Sequence, residues 1–148
     1  MLQITFRYWY VRGTFGKLVG WYTSSEFSHV STIINDMEIE AVIGKGVIEH
    51  IPTKHFHGET FTFTIPNSKK NREAIKWLRY QVGKEYDLIG TLKFAIPFIK
   101  DSAKSYYCSK IQSQFAAKVG IYPTLRETTL YSPQISFMMC AQKKHDML

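Results

Sequence analysis

In the stretch SYYCSKIQSQFAAKVG, residues 105–120, a cysteine stands at the start of a run whose apolar positions Ile111, Phe115, Ala116 and Val119 recur at helical spacing. Cys108 therefore falls in the first turn of a helix. A thiol there faces unsatisfied backbone N–H groups and the positive end of the helix dipole, which favour the thiolate over the thiol, whose free pKa is roughly 8.5. The same position also suits a small buried hydrophobe, and the cysteine alone does not choose between the two. A nucleophilic cysteine needs a histidine to take its proton and a third polar group to orient that histidine. His29, within the apolar and hydroxylic run EFSHVSTII, is the candidate base, and Glu40 on the following strand is the candidate orienting group. With a turn near Asn35 and Asp36, hairpin partners sum to about seventy, so His29 faces the neighbourhood of Glu40 and Ala41. Glu38, two residues along on the face of Glu40, is the alternative carboxylate. The bland reading of the same residues is a packed histidine and an exposed strand glutamate.

The elements that must position these groups follow from local pattern. FSHVSTII and EIEAVI, separated by NDM, read as a hairpin, and VIEHI after the GKG break and ETFTFTIP with its period-two alternation add further strands. Three or four antiparallel strands are expected. NSKKNREAIKWLRYQVGK starts a helix at Asn67 or Ser68, buries Ala74, Ile75, Leu78 and Val82 on one face, and stops at Gly83. YDLIGTLKFAIPFIK reads as helical until Pro97, the Cys108 helix follows, and a last helix opens with SPQISFMM at Ser132. Strands thus fill most of the first two-thirds and helices the last third, an α+β arrangement in one domain spanning 1–148.

Composition sets outer bounds. The chain has 148 residues, 45% of them apolar, enough for one core. Nineteen Lys and Arg against twelve Asp and Glu give a net charge of +7, which suits an anionic surface. The cations are dispersed, with short clusters only at Lys69-Lys70-Asn71-Arg72 and Lys143-Lys144, and no RNA-binding signature accompanies them, so no specific nucleic-acid partner is expected. Two cysteines, Cys108 and Cys140, make no disulfide framework and no zinc spacing, and fit a reducing compartment. No secretory signal opens the chain, and no apolar run reaches the ~20 residues of a membrane span. A cytoplasmic or virion-associated protein is expected.

Taken in order, WYTSSEFSHV, EAVIGKGV, VGKEYDLIG, YCSKI and YSPQI resemble the circularly permuted NlpC/P60 branch of the papain-like cysteine peptidases and amidases, which has bacterial, phage and poxvirus members. The lecithin:retinol acyltransferase group is a more distant relative. The resemblance spans roughly residues 20–135 and implies an antiparallel sheet packed against a helical layer that carries the nucleophile. It also implies that Cys108 is the nucleophile, His29 the base, Glu40 the orienting group, and Tyr86 a hydroxyl directed at the oxyanion. Two positions depart from the pattern: Ser31 stands where many relatives have Gly, and Lys110 where many have Glu. Both bear on the substrate groove.

The function expected is a cysteine-dependent hydrolase that cleaves a peptide, isopeptide or acyl-amide bond through an acyl-enzyme, without cofactor or metal. A peptide, peptidoglycan or acyl-amide substrate is compatible with the triad. The alternatives are a lipid or amine acyltransferase or thioesterase using the same triad, and a non-catalytic binding or virion-associated structural module. Other polar and aromatic residues have quieter readings. His55 and His57 in KHFHGE are spaced for a metal pair but lack an evident third ligand, and read as a loop. Cys140 reads as inert core, and Trp9, Trp21 and Trp77 as core anchors ahead of groove walls.

Overall fold

A computed structural model describes residues 1–14, 17, 21, 25–86, 107–123 and 132–147. Among these the chain forms strands β1 (Leu2–Tyr10), β2 (Phe27–Ile34), β3 (Met37–Val42), β4 (Gly46–His50) and β5 (Gly58–Ile65), followed by helices α1 (Lys69–Tyr80), α2 (Cys108–Lys118) and α3 (Pro133–His145). The strands make one antiparallel sheet in the order β4-β3-β2-β1-β5. The α+β class and the antiparallel sheet stand as expected. The segment expected to be helical up to Pro97 lies, beyond Tyr86, outside the described residues.

The strand that sequence pattern did not single out is β1, the link between the β2 hairpin and β5. Its even positions Ile4, Phe6 and Tyr8 are wholly buried, while Gln3, Thr5, Arg7 and Trp9 point to the other face. Ile4 pairs with both Ile34 and Phe63, so that Val30, Ile34, Phe63 and Ile65 share its face. The helices α1, α2 and α3 pack on this side. Phe6 meets Phe115 of α2 edge to face at 6.5 Å, and Phe27 stacks on Phe137 of α3 at 4.4 Å. Leu78 of α1 and Ile111 of α2 complete the layer. Burying each of these large side chains contributes about 1.5–3 kcal/mol.

Ser68 caps α1 by accepting from the Asn71 N–H, and Ser132 caps α3 by accepting from the Ile135 N–H, with Pro133 at the first helical position. The turn between β2 and β3 places Asn35 and Asp36 at φ of 50° and 60°, the left-handed pair a two-residue hairpin requires and that Asn and Asp tolerate. A tight turn of this kind fixes the register. Thr32, Ile33 and Ile34 pair with Ile39, Glu38 and Met37, numbers that sum to 71.

The β2–β3 ladder ends at Thr32 and Ile39, but neither strand ends there. β2 runs on along β1, with an irregularity beside Trp9 and Tyr10, while β3 runs on along β4 to the Val42–Gly46 rung. The two strands part, and the start of α2 packs against both.

Candidate active site

Cys108 is the first residue of α2, after Tyr107, whose extended backbone (φ −103°, ψ 165°) caps the helix without a side-chain bond. No acidic residue occupies the first turn, so the positive end of the dipole is left for the sulfur. The sulfur sits where β2 and β3 diverge. It accepts hydrogen bonds from the backbone N–H of Val30, freed by the end of the ladder, and from that of Ser109, and it is hydrogen-bonded to the His29 ring. Burial, with the residue only 5% exposed, disfavours a charge there. The imidazole and the two N–H groups outweigh it, and the thiol pKa is lowered.

His29 and Glu40 project from the same face of the sheet because an odd register sum puts an odd residue of β2 with the even residues of β3. His29 Nε2 is hydrogen-bonded to Glu40 Oε2, which leaves Nδ1 for the sulfur. Burial opposes a charge on the ring, yet the sulfur on one side and the carboxylate on the other push its pKa up to about 10. Burial alone would raise the Glu40 pKa, but its histidine partners hold it below the usual value. The three side chains thus stand in a row, and the directions of their shifts favour a thiolate, an imidazolium and a carboxylate.

The register correction is small in number and large in effect. The expected sum near seventy, with His29 facing Glu40 and Ala41, falls just short of the observed 71, and an even sum would have put Glu40 on the face away from His29. The contact also crosses the gap between the strands diagonally, since the ladder stops short of His29. Glu38, the alternative carboxylate, does not orient His29. It is wholly buried, accepts from the Ser31 hydroxyl, and pairs with Arg7 Nη1 at 3.3 Å.

Sequence reasoning missed a fourth polar member. His50, the last residue of β4, has Nε2 within hydrogen-bond distance of Glu40 Oε1 at 2.8 Å and Nδ1 within hydrogen-bond distance of the Ile51 carbonyl at 2.8 Å. The usable signal was the GKG turn, which places His50 opposite Glu38 and on the face of Glu40. Trp9 was also read away from the site. Its half-buried ring lies 6.3 Å from that of His29 and edge-on to Phe56 at 4.9 Å, and its N–H donates to Ser31 Oγ at 3.4 Å. Arg7 stacks over Phe56 at 4.9 Å and bonds the Thr53 carbonyl at 3.1 Å, so loop 51–57 is held beside the histidine. Trp9 and Phe56 make an aromatic wall there. Of the other tryptophans, Trp77 packs half-buried against the core, while Trp21 is 75% exposed and is no core anchor.

Tyr86 is half-buried against the core at the end of a segment that runs along β4. Val47 N–H bonds the Lys84 carbonyl and Gly83 N–H bonds the Val47 carbonyl, both at 2.8 Å. Gly46, at φ +77°, allows this approach: a Cβ there would lie 2.2 Å from the Lys84 oxygen. His55 and His57 lie in the loop, with His57 edge-on to Tyr10 at 5.2 Å, and among the described residues no group of three potential ligands is placed to hold a metal. Cys140 is wholly buried, its sulfur 3.2 Å from the hydroxyls of Tyr8 and Tyr122, and burial pushes its pKa up to about 11. Both cysteines are free, and their thiol pKa values are shifted in opposite directions.

Among the described residues no helix is long and apolar enough to cross a membrane. No protein-family model matches the chain, and no curated protein matches it.

Proposed function

We propose that the protein is a cysteine-dependent hydrolase of the permuted NlpC/P60, papain-like kind, acting on an amide bond. The observation that carries this reading is the continuous row Cys108–His29–Glu40, with the sulfur at a helix N-terminus and the imidazole bonded on both sides. A core cysteine gains nothing from such neighbours; at Cys140 burial outweighs the two tyrosine hydroxyls and the thiol pKa rises.

The Cys108 thiolate attacks the carbonyl carbon, and the electron pair moves to the oxygen. The backbone N–H of Cys108 is the first donor to that oxyanion, and the Tyr86 hydroxyl is the second donor that the family resemblance assigns. Collapse expels the amine, which takes the His29 Nδ1 proton, and leaves a thioester on Cys108. His29, now neutral, removes a proton from water, whose oxygen attacks the thioester carbonyl. Expulsion of the thiolate restores the ion pair. Glu40 holds the ring and offsets its positive charge throughout. The Trp9–Phe56 wall beside His29 gives the groove an apolar side.

The test uses p-nitrophenyl acetate, whose acyl group any such thiolate accepts. A burst of p-nitrophenolate equal to the enzyme concentration is expected, with one acetyl group on Cys108 by mass spectrometry and none in Cys108→Ala. Absence of acyl transfer to Cys108 from this activated ester contradicts the proposal.

A further inference from the structure

Glu40 spends both of its oxygens on histidines. Oε2 is held by His29 and Oε1 by His50, and the carboxylate side chain is only 13% exposed. His50 in turn has both ring nitrogens against groups that can only accept, the Ile51 carbonyl at 2.8 Å and the Glu40 carboxylate at 2.8 Å. A neutral imidazole has one N–H and satisfies one of them.

We infer that His50 is a positioning residue of the site: donating from both ring nitrogens, it ties Glu40 to the backbone at the end of β4 and so fixes the carboxylate that orients His29. The inference rests on the hydrolase reading for what the positioning is for, but not for the contact itself. Among the described residues, few charged groups face His50. Glu40 and Glu38 approach it from β3, Arg7 of β1 neutralises Glu38 from beyond, and His29 of β2 stands on the far side of Glu40. Partial burial disfavours the cation, but the Ile51 carbonyl and the two carboxylates outweigh this and raise its pKa above 6.5.

The sign of the pH effect follows. Below its pKa, His50 holds both acceptors. Above it, one bond is lost, and either Glu40 loses its tie or the ring loses its backbone anchor. The step that suffers is deacylation, where His29 must be aligned with water, and not acylation by an activated ester, which needs only the thiolate.

Two measurements on the full chain test this. Ring 15N NMR of the wild type is expected to show both His50 nitrogens protonated at pH 7, with a pKa that falls by roughly one unit or more in Glu40→Gln. A singly protonated His50 at pH 7, or no shift in Glu40→Gln, overturns the inference. With p-nitrophenyl acetate, His50→Gln is expected to keep the burst on Cys108, slow the steady-state rate about five- to tenfold, and lose the decline that the wild type shows as His50 deprotonates. A wild-type steady-state rate and pH profile in folded His50→Gln also overturns it, while the burst leaves the nucleophile standing. If His50→Gln does not fold, the NMR comparison decides alone. A wild type with no burst removes the hydrolase reading, and NMR then decides whether His50 fixes Glu40.

Discussion

Glu40 reaches His29 across a gap in the sheet rather than along a ladder rung: the last β2–β3 rung is Thr32–Ile39, and the strands separate before His29. That separation frees the Val30 N–H for the Cys108 sulfur and makes room for the start of α2. One backbone feature therefore sets the nucleophile, the base and the orienting acid together.

Glu38 and Glu40 sit two residues apart on one face with different duties, and their glutamine variants should differ in kind. Glu40→Gln keeps the shape of the site but removes the charge opposite the imidazolium, so turnover should fall roughly 10- to 100-fold with little change in Tm. Glu38→Gln leaves Arg7 without its buried partner and should lower stability by roughly 1–3 kcal/mol, with the smaller effect on turnover. Thermal melts and steady-state rates on the same samples check both.

The ion pair has its own stability profile. The folded pKa of His29 lies above 6.5, so its contribution is full below 6.5 and is lost as pH rises through about 10. The folded pKa of Cys108 lies below 9.0, so its contribution is full above 9.0 and is lost as pH falls through the lowered value. From the higher of 6.5 and the lowered Cys108 value up to 9.0 the two slopes cancel, since folded and unfolded chains each hold one proton on the pair. The Tm difference between wild type and Cys108→Ala/His29→Ala should be flat across that window and shrink on both sides. A difference that changes steadily with pH through the window would contradict the pairing.

Much of this was legible in the sequence. The bounds of β2, the cap at Ser132, a helix start at Asn67 or Ser68 and the first-turn place of Cys108 follow from local pattern, because each is fixed within a few residues. β1 was not singled out although Leu2, Ile4, Phe6 and Tyr8 alternate with Gln3, Thr5, Arg7 and Trp9. Its partners, β2 and β5, are distant in sequence, so no hairpin turn announces it. His50 was missed because a lone histidine at a strand end acquires meaning only from the β3–β4 register. The parity that turns Glu40 toward His29 depends on one residue of turn length, which NDM does not settle by composition.

Ser109 adds a test that separates packing from chemistry. Its hydroxyl is the buried side-chain polar atom left without a partner among the described residues, while its backbone N–H serves the Cys108 sulfur. Ser109→Ala keeps the N–H, removes the unsatisfied hydroxyl and improves helix propensity. Stability should rise by roughly 0.5–1.5 kcal/mol with the acylation burst unchanged, measured by urea melts and p-nitrophenolate release.

Gly46 bears on Tyr86. Gly46→Ala forces a Cβ toward the Lys84 oxygen from a left-handed backbone, and should cost about 1–3 kcal/mol. It should also displace the segment leading to Tyr86. If that hydroxyl serves the oxyanion, Tyr86→Phe and Gly46→Ala should both slow acylation, and a normal acylation rate in folded Tyr86→Phe would remove Tyr86 from the site.

The most direct measurement is the pH dependence of iodoacetamide alkylation at each cysteine, read by mass spectrometry in wild type and His29→Ala. An ion pair requires Cys108 to react at pH 7 at least roughly tenfold faster than Cys140, to reach half its limiting rate below pH 9, and to lose that advantage in His29→Ala. Equal and slow labelling of the two thiols, or a Cys108 profile that His29→Ala leaves unchanged, would contradict an activated nucleophile.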